Sequence, residues 1–220
     1  MVKPRIIETD EGIQGEFDVQ TYDSMMRSLR DKGWMETGHI IRSGITHGSA
    51  LEIGPGPGYL GLEWLKKTEG TTLLAVEISP EMTKIAETNA REYGLEGRVK
   101  YVKGDAHQIP FDDNTFDGVF TNGSLHEWSQ PIRVFDEVYR VLKPGAKYFI
   151  SDMRRDTNPF VMWFMKLMVE PKEIRPGFVS SMNASYTRDE IRATLDQSKL
   201  KESAVAKTFM GFEISGRKNK

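Results

Sequence analysis

The stretch Ala50-Leu51-Glu52-Ile53-Gly54-Pro55-Gly56-Pro57-Gly58-Tyr59-Leu60-Gly61 decides how this chain is read. A short, mostly apolar run comes first. Four glycines then fall within eight positions, and an apolar pattern suited to a helix begins at Tyr59. Glycine reaches backbone conformations that a Cβ forbids, and it lets a ligand lie against the main chain. A turn of this kind at the carboxyl end of a parallel strand is where open α/β sheets hold their ligands.

Working outward, short apolar runs alternate with helical spacing. The runs cover 50–53, 72–76, 99–102, 116–120 and 148–150. Between them, Met82, Ile85, Ala86, Ala90 and Tyr93 recur at helical intervals, as do Ile132, Phe135, Val138, Tyr139 and Leu142. Ser79-Pro80 supplies an N-cap and a first-turn proline, and Lys143-Pro144-Gly145 supplies a stop. This alternation predicts a doubly wound α/β fold with a mostly parallel, seven-stranded sheet. One domain spans 1–220, with the ligand-binding core at 48–152 and a helical N-terminal cap at 1–45, its helices near 18–30 and 34–45. Residues 153–186 read as an irregular insertion rich in Met, Pro and aromatics. Over 187–218, Thr187-Arg188-Asp189-Glu190 is a capping box opening a helix to about Ser198, and two closing strands meet near Met210-Gly211.

Composition removes several function classes. A chain of 220 residues suits one domain, and a net charge of −2 without a like-charge block argues against nucleic acid as a partner. The basic tail 216–220 reads as a solvated terminus. With no cysteine, disulfides, thiolate metal sites and cysteine nucleophiles are excluded. The start shows no secretory signal, so the cytoplasm is the expected compartment. The longest apolar run, 160–169, is about half a membrane span and is broken by Lys166, so no stable membrane insertion is expected.

The glycine loop alone is ambiguous, because Gly56 to Gly61 also spells G-x-G-x-x-G, a dinucleotide fingerprint. Tyr139 and Lys143 even stand at the Tyr-x-x-x-Lys spacing of short-chain dehydrogenases. Against this, Tyr139 lies in its helix's apolar stripe, and Pro55 and Pro57 deprive the loop of two N–H donors that a diphosphate would want. Four further motifs stand in order behind Glu52-x-Gly54-x-Gly56-x-Gly58. They are Glu77 at the second strand's end, Val102-Lys103-Gly104-Asp105-Ala106 with Ile109-Pro110-Phe111, then Phe116-Asp117-Gly118-Val119, then Arg140-Val141-Leu142-Lys143-Pro144-Gly145-Ala146. Together they resemble the class I S-adenosylmethionine-dependent methyltransferases, most closely the type 11 group that includes ubiquinone and menaquinone C-methyltransferases.

The resemblance implies S-adenosyl-L-methionine as cofactor. Gly54, Gly56 and Gly58 would form its cradle, and Glu77, beside Ile78, would accept hydrogen bonds from the ribose hydroxyls. Asp105 would meet the adenine amino group, with the Ala106 N–H on the ring and His107 flanking it. Glu52 would contact the methionine amino group, and Asn122 would face the methionine part. His126, in Ser124-Leu125-His126-Glu127-Trp128, is the candidate base if the acceptor must lose a proton. His39 and His47 read as surface residues. No metal is expected, since His126-Glu127-x-x-Gln130 lacks the second histidine of a zinc motif.

In that family the acceptor is roofed by whatever precedes the core and follows strand five. Here those are 1–45 and 153–186. If helical, 160–169 is apolar all round, and it is core, lid, partner interface or the wall of an apolar acceptor site. The Asn-Pro-Pro-Tyr type of motif of amino-methylating enzymes is absent, and cysteine-dependent methylation cannot run. The expected acceptor is a small organic molecule, apolar or aromatic, and a homo-oligomer stays open. Two readings of other classes remain: a non-catalytic cofactor-binding domain and an NAD-linked oxidoreductase.

Overall fold

The five apolar runs become five mutually parallel strands in the computed structural model, which describes residues 4–7 and 16–220. The strands are β1 (Ser49–Ile53), β2 (Thr72–Glu77), β3 (Val99–Lys103), β4 (Phe116–Asn122) and β5 (Leu142–Met153). The closing pair, β6 (Ala204–Lys207) and β7 (Gly211–Arg217), completes seven strands in the order β3-β2-β1-β4-β5-β7-β6. β7 runs antiparallel to both of its neighbours, β5 and β6. Strand order reverses between β1 and β4, so the turns leaving these two strands open a crevice at the carboxyl edge.

Side-chain alternation puts a separate apolar layer on each face of the sheet. Leu51, Ile53, Val119 and Ile150 pack with Val134, Phe135 and Val138 of α5 (Pro131–Val141) and with Ile191 and Leu195 of α8 (Arg188–Leu195). Ala50, Ala75, Phe120 and Phe149 pack on the other side with α3 (Tyr59–Lys66) and α4 (Pro80–Glu92). Trp64 of α3 is fully buried there, its ring 5.5 Å from that of Phe120 and its Nε1 donating to the Ile45 carbonyl at 2.8 Å. Truncating a residue so placed costs about 3–5 kcal/mol.

Local signals set the helix ends. The Ser79 hydroxyl accepts from the Met82 N–H, with Pro80 in the first turn. The Thr187–Glu190 capping box is present with both of its bonds, although α8 stops at Leu195 rather than near Ser198. α5 ends at Val141, and Leu142 belongs to β5, not to the helical stripe. A register shift between the Phe116 and Gly118 pairings lets β5 begin at Leu142, well before Tyr148.

Of the cap read over 1–45, residues 1–3 and 8–15 lie outside the described residues. The rest contains α1 (Glu16–Asp31) and α2 (Thr37–Ser43), the second shorter than its apolar pattern suggests. The insertion 153–186 is ordered rather than irregular: α6 (Pro159–Met168), a 3-10 turn at Lys172–Ile174 and α7 (Arg175–Ala184). α6 contributes nothing to the core, because none of its side chains is buried. Among the described residues no helix is long and apolar enough to cross a membrane.

Candidate active site

A cleft enclosing about 720 Å³, open solvent at its mouth included, runs along the carboxyl edge of β1, β2, β3 and β4. Volumes of this order hold small-molecule ligands and cofactors. The β1–α3 loop forms its floor. Gly54, Gly56 and Gly58 have φ of 62°, 52° and 85°, conformations that other residues adopt with strain. Space is also short at two of them. A Cβ on Gly54 would strike the Ser124 hydroxyl, and one on Gly58 would lie 2.5 Å from the Tyr101 hydroxyl.

Glu77 ties this loop to β2. Its Oε2 accepts the Gly56 N–H at 3.0 Å and its Oε1 accepts the Ser79 N–H at 2.9 Å. Burial raises the carboxyl's pKa, and these backbone N–H groups oppose the rise. A carboxylate offers about four lone-pair sites, so acceptor capacity remains for a ligand hydroxyl.

At the end of β3, Asp105 is held by its neighbour. Its Oδ1 accepts the His107 N–H at 2.8 Å and lies 2.7 Å from His107 Nδ1. The His107 Nε2 accepts the Gln130 N–H at 3.2 Å, which assigns the ring proton to Nδ1 and makes Nδ1 the donor to Asp105. Burial pushes the Asp105 carboxyl up, but the His107 hydrogen bonds outweigh it and hold the pKa below the usual range. Oδ2 has no protein partner among the described residues.

β4 delivers Asn122. Its side-chain N–H₂ donates to Glu36 Oε2 at 3.1 Å and to the Ser151 hydroxyl at 3.0 Å, leaving its carbonyl oxygens for a ligand. Glu36 is half-buried there, and burial raises its pKa against the lowering effect of the Ser151 hydrogen bond.

The cleft thus gathers Gly54, Gly56, Glu77, Ile78, Asp105, Ala106, His107 and Asn122, which are far apart in the chain. Three other candidates do not line it. Gly58 packs under the loop on Tyr101. Glu52, on the opposite side of β1 from Leu51 and Ile53, turns toward Gly61 of α3, whose missing Cβ makes the room. There it is 2% exposed, its Oε2 has no hydrogen-bond partner, and burial first, then the charge of Glu77, pushes its pKa up to about 8. An acid so placed is largely neutral at pH 7, which removes the cost of burying its charge.

His126 is the third. It lies in a 3-10 turn at Leu125–Glu127, only 4% exposed, and its Nδ1 is 3.0 Å from both carboxylate oxygens of Asp152. Asp152, next to last in β5, also accepts the His126 N–H at 2.7 Å, while Arg5 Nη2 donates to the His126 carbonyl at 2.8 Å. It is therefore a buried, clamped residue and not one facing the cleft from an open loop.

Sequence reasoning missed Tyr22 of α1, whose Cε1 lies 3.3 Å from the place a Gly56 Cβ would take. Burial first, then the carboxylates of Glu127, Glu77 and Asp152, raises its phenol pKa. α1 is fastened over the loop by Asp23, which accepts from the Tyr59 hydroxyl at 3.0 Å and from Asn89 Nδ2 at 3.2 Å. Asn89 Nδ2 also donates to the Pro57 carbonyl at 2.8 Å. No local pattern marks Tyr22, since α1 precedes the loop by over twenty residues. Trp128, Glu127 and Ser124 complete that end and were within reach, being part of the segment that holds His126.

The dehydrogenase alternative loses its second support. Lys143 Nζ binds Asp117 Oδ1 at 2.8 Å near the start of β4, the sheet edge opposite the glycine loop. Among the described residues no cluster of His, Asp and Glu could hold a metal ion.

The architecture is that of a class I methyltransferase, and known proteins agree. A family described as "Methyltransferase domain", type 11, matches residues 51–150. The chain is 31% identical over 165 residues to the ubiquinone/menaquinone biosynthesis C-methyltransferase UbiE of Idiomarina loihiensis, covering 72% of this chain and 65% of that protein. It is 32% identical over 149 residues to the demethylmenaquinone methyltransferase of Clavibacter sepedonicus, covering 66% and 59%. The chain therefore spans less than two thirds of the length of these relatives. A Methanococcus maripaludis protein, described provisionally as an S-adenosyl-L-methionine-dependent methyltransferase, superposes with a TM-score of 0.73 at 26% identity. That match covers 94% of this chain and 96% of the other. Residues 51–150 thus match the methyltransferase domain of the type 11 group, and the fold is that of the class I S-adenosylmethionine-dependent methyltransferases, enzymes whose cofactor is S-adenosyl-L-methionine.

Proposed function

We propose that this chain methylates a small apolar acceptor carrying an aromatic ring, of the quinol kind. The observation that carries the reading is a single cleft in which Glu77, Asp105 and the glycine loop stand together with the aromatic rings of Tyr22 and Trp128. The relatives named as ubiquinone and menaquinone methyltransferases support the ring.

The donor set fits the cofactor. Glu77 has acceptor capacity for the ribose hydroxyls, Asp105 Oδ2 for an amino group, and the cradle is one that a Cβ at Gly54 would fill. We assign Ile78, Ala106 and His107 to the adenosine side and Asn122 to the methionine side. Gly58 would act from beneath, and Glu52 only indirectly. The cofactor supplies an activated methyl group, so the protein's work is to align the acceptor and exclude water.

We assign proton removal, where the acceptor requires it, to His126. Asp152 fixes its ring through Nδ1, the way a carboxylate sets the tautomer of a general base. The second reading, a buried structural pair, is favoured by the absence of His126 from the cleft lining. α1, α2 and residues 153–186 would close over the acceptor, leaving 48–152 to hold the cofactor.

A thermal shift with S-adenosylhomocysteine beside NAD tests the reading. Ligand at about 100 times its Kd adds about 2.7 kcal/mol, a rise of roughly 5–10 °C for a chain of this size. A rise with NAD and none with the adenosyl compound would overturn it.

A further inference from the structure

Among the described α-helices, α6 alone buries no side chain. It follows β5 at the carboxyl edge of the sheet and packs chiefly against α7. Five of its large apolar residues are exposed: Phe160 at 70%, Trp163 at 56%, Phe164 at 47%, Leu167 at 46% and Met168 at 39%. These positions recur at intervals of three and four, so they form one stripe about 12 Å long. Val161, Met162 and Met165, half-buried, form the inner side. The β6–β7 turn comes near the start of α6. The Met210 carbonyl accepts from the Arg154 N–H and the Thr157 hydroxyl, which sets Phe209, 71% exposed, beside the start of α6.

We propose that α6 seats in the surface of a lipid bilayer, its Phe160–Leu167 stripe lying between the headgroups and the acyl chains. The proposal takes its purpose from the apolar acceptor proposed above, which could then pass from the membrane into the cleft.

Area and shape favour this occupant over a second copy of the chain. At these exposures the five side chains offer on the order of 500 Å². A stable dimer takes about 800 Å² from each partner, bordered by hydrogen-bonding groups. The stripe is convex, and it has few such groups. A helix lying in a membrane plane needs none: its apolar side sinks, aromatic rings sit at headgroup depth, and lysine stems reach outward. Lys166 on α6 and Lys172 in the following 3-10 turn suit that role, and neither has an ion-pair partner among the described residues. Glu170 and Glu173 lie close in sequence and offset them, so the attraction is chiefly apolar. Such seating is attachment in the membrane plane, not a span.

Flotation of the protein with phosphatidylcholine vesicles, with and without phosphatidylglycerol, tests this. The protein should float with both, and the anionic lipid should raise partitioning by less than about tenfold. The triple variant F160S/W163S/F164S should lose partitioning by at least about tenfold, while W34S, at an exposed tryptophan outside α6, should keep it. Melting temperature and S-adenosylhomocysteine affinity of the triple variant should match the parent, since no substituted side chain is buried or lines the cleft. A parent protein that stays in the aqueous layer overturns the proposal, and so does a triple variant that floats equally well. Dimerisation of the free protein that the triple variant abolishes, without lipid retention, would assign the stripe to a second copy and also overturn it. Loss of S-adenosylhomocysteine binding in the parent would strike the functional reading instead, leaving the vesicle result standing.

Discussion

Replacing Glu77 with alanine should damage the cofactor site and the fold together, by amounts the structure lets us separate. Its carboxylate accepts the N–H groups of Gly56 and Ser79, and it is only 6% exposed. Removing it leaves two N–H donors with no carboxylate in a largely buried place, at about 1–3 kcal/mol each. Partial access to water brings the total to about 2–4 kcal/mol, a fall of roughly 4–16 °C in Tm for a chain of this size. Ligand affinity should fall separately by about 1.5–3 kcal/mol, the range for hydrogen bonds to a charged group. Glu77→Asp, one methylene short, should recover part of both losses. Differential scanning fluorimetry gives the first quantity and calorimetric titration with S-adenosylhomocysteine the second. If both variants keep the parent's affinity, the ribose is not where we place it. If Tm is also unchanged, the loop is not held by Glu77 at all.

Two further outcomes follow from buried acids. Glu52 has its pKa pushed up to about 8, so the folded state holds a proton that the unfolded chain releases near pH 4.5. Stability conferred by that proton is complete below pH 4.5 and is lost as pH rises toward 8, a decline on the order of a few kcal/mol. Burial raises the Glu36 and Glu77 pKa values as well, in the same sense. Glu52→Gln should flatten Tm between pH 5 and 8, and an unchanged slope would show that Glu52 does not carry the proton. For the His126–Asp152 pair, His126→Gln and Asp152→Asn should each lower kcat with a benzoquinol acceptor by about 10²–10⁴-fold and remove a limb of its pH profile, with KM and cofactor affinity kept. Loss of Tm with an unaltered pH profile would make the pair structural.

Much of the fold and about half of the site were legible in the sequence, because both rest on local rules. Alternating run and helix, the Ser79 cap, the Thr187–Glu190 box and the loop glycines each act within a few residues. Glu77 and Asp105 could be placed for the same reason: each lies at or just beyond a strand's carboxyl end, and parallel neighbours bring such ends to one edge.

What the sequence determined by itself was periodicity, caps and the side of the sheet on which the loops emerge. Only the tertiary structure decided which distant groups meet. Tyr22 reaches Gly56 because Asp23 fastens α1 to Tyr59 and Asn89, and Asp152 reaches His126 because β5 pairs with β4. Glu52 turns away from the cleft because the strand's alternation puts it on the α3 face, a choice its motif does not record. α6 is the clearest case. A segment apolar on every side has no contrast for periodicity to report, so burial depends entirely on whether neighbours come to cover it. Here α7 covers one side, and the stripe from Phe160 to Leu167 stays open.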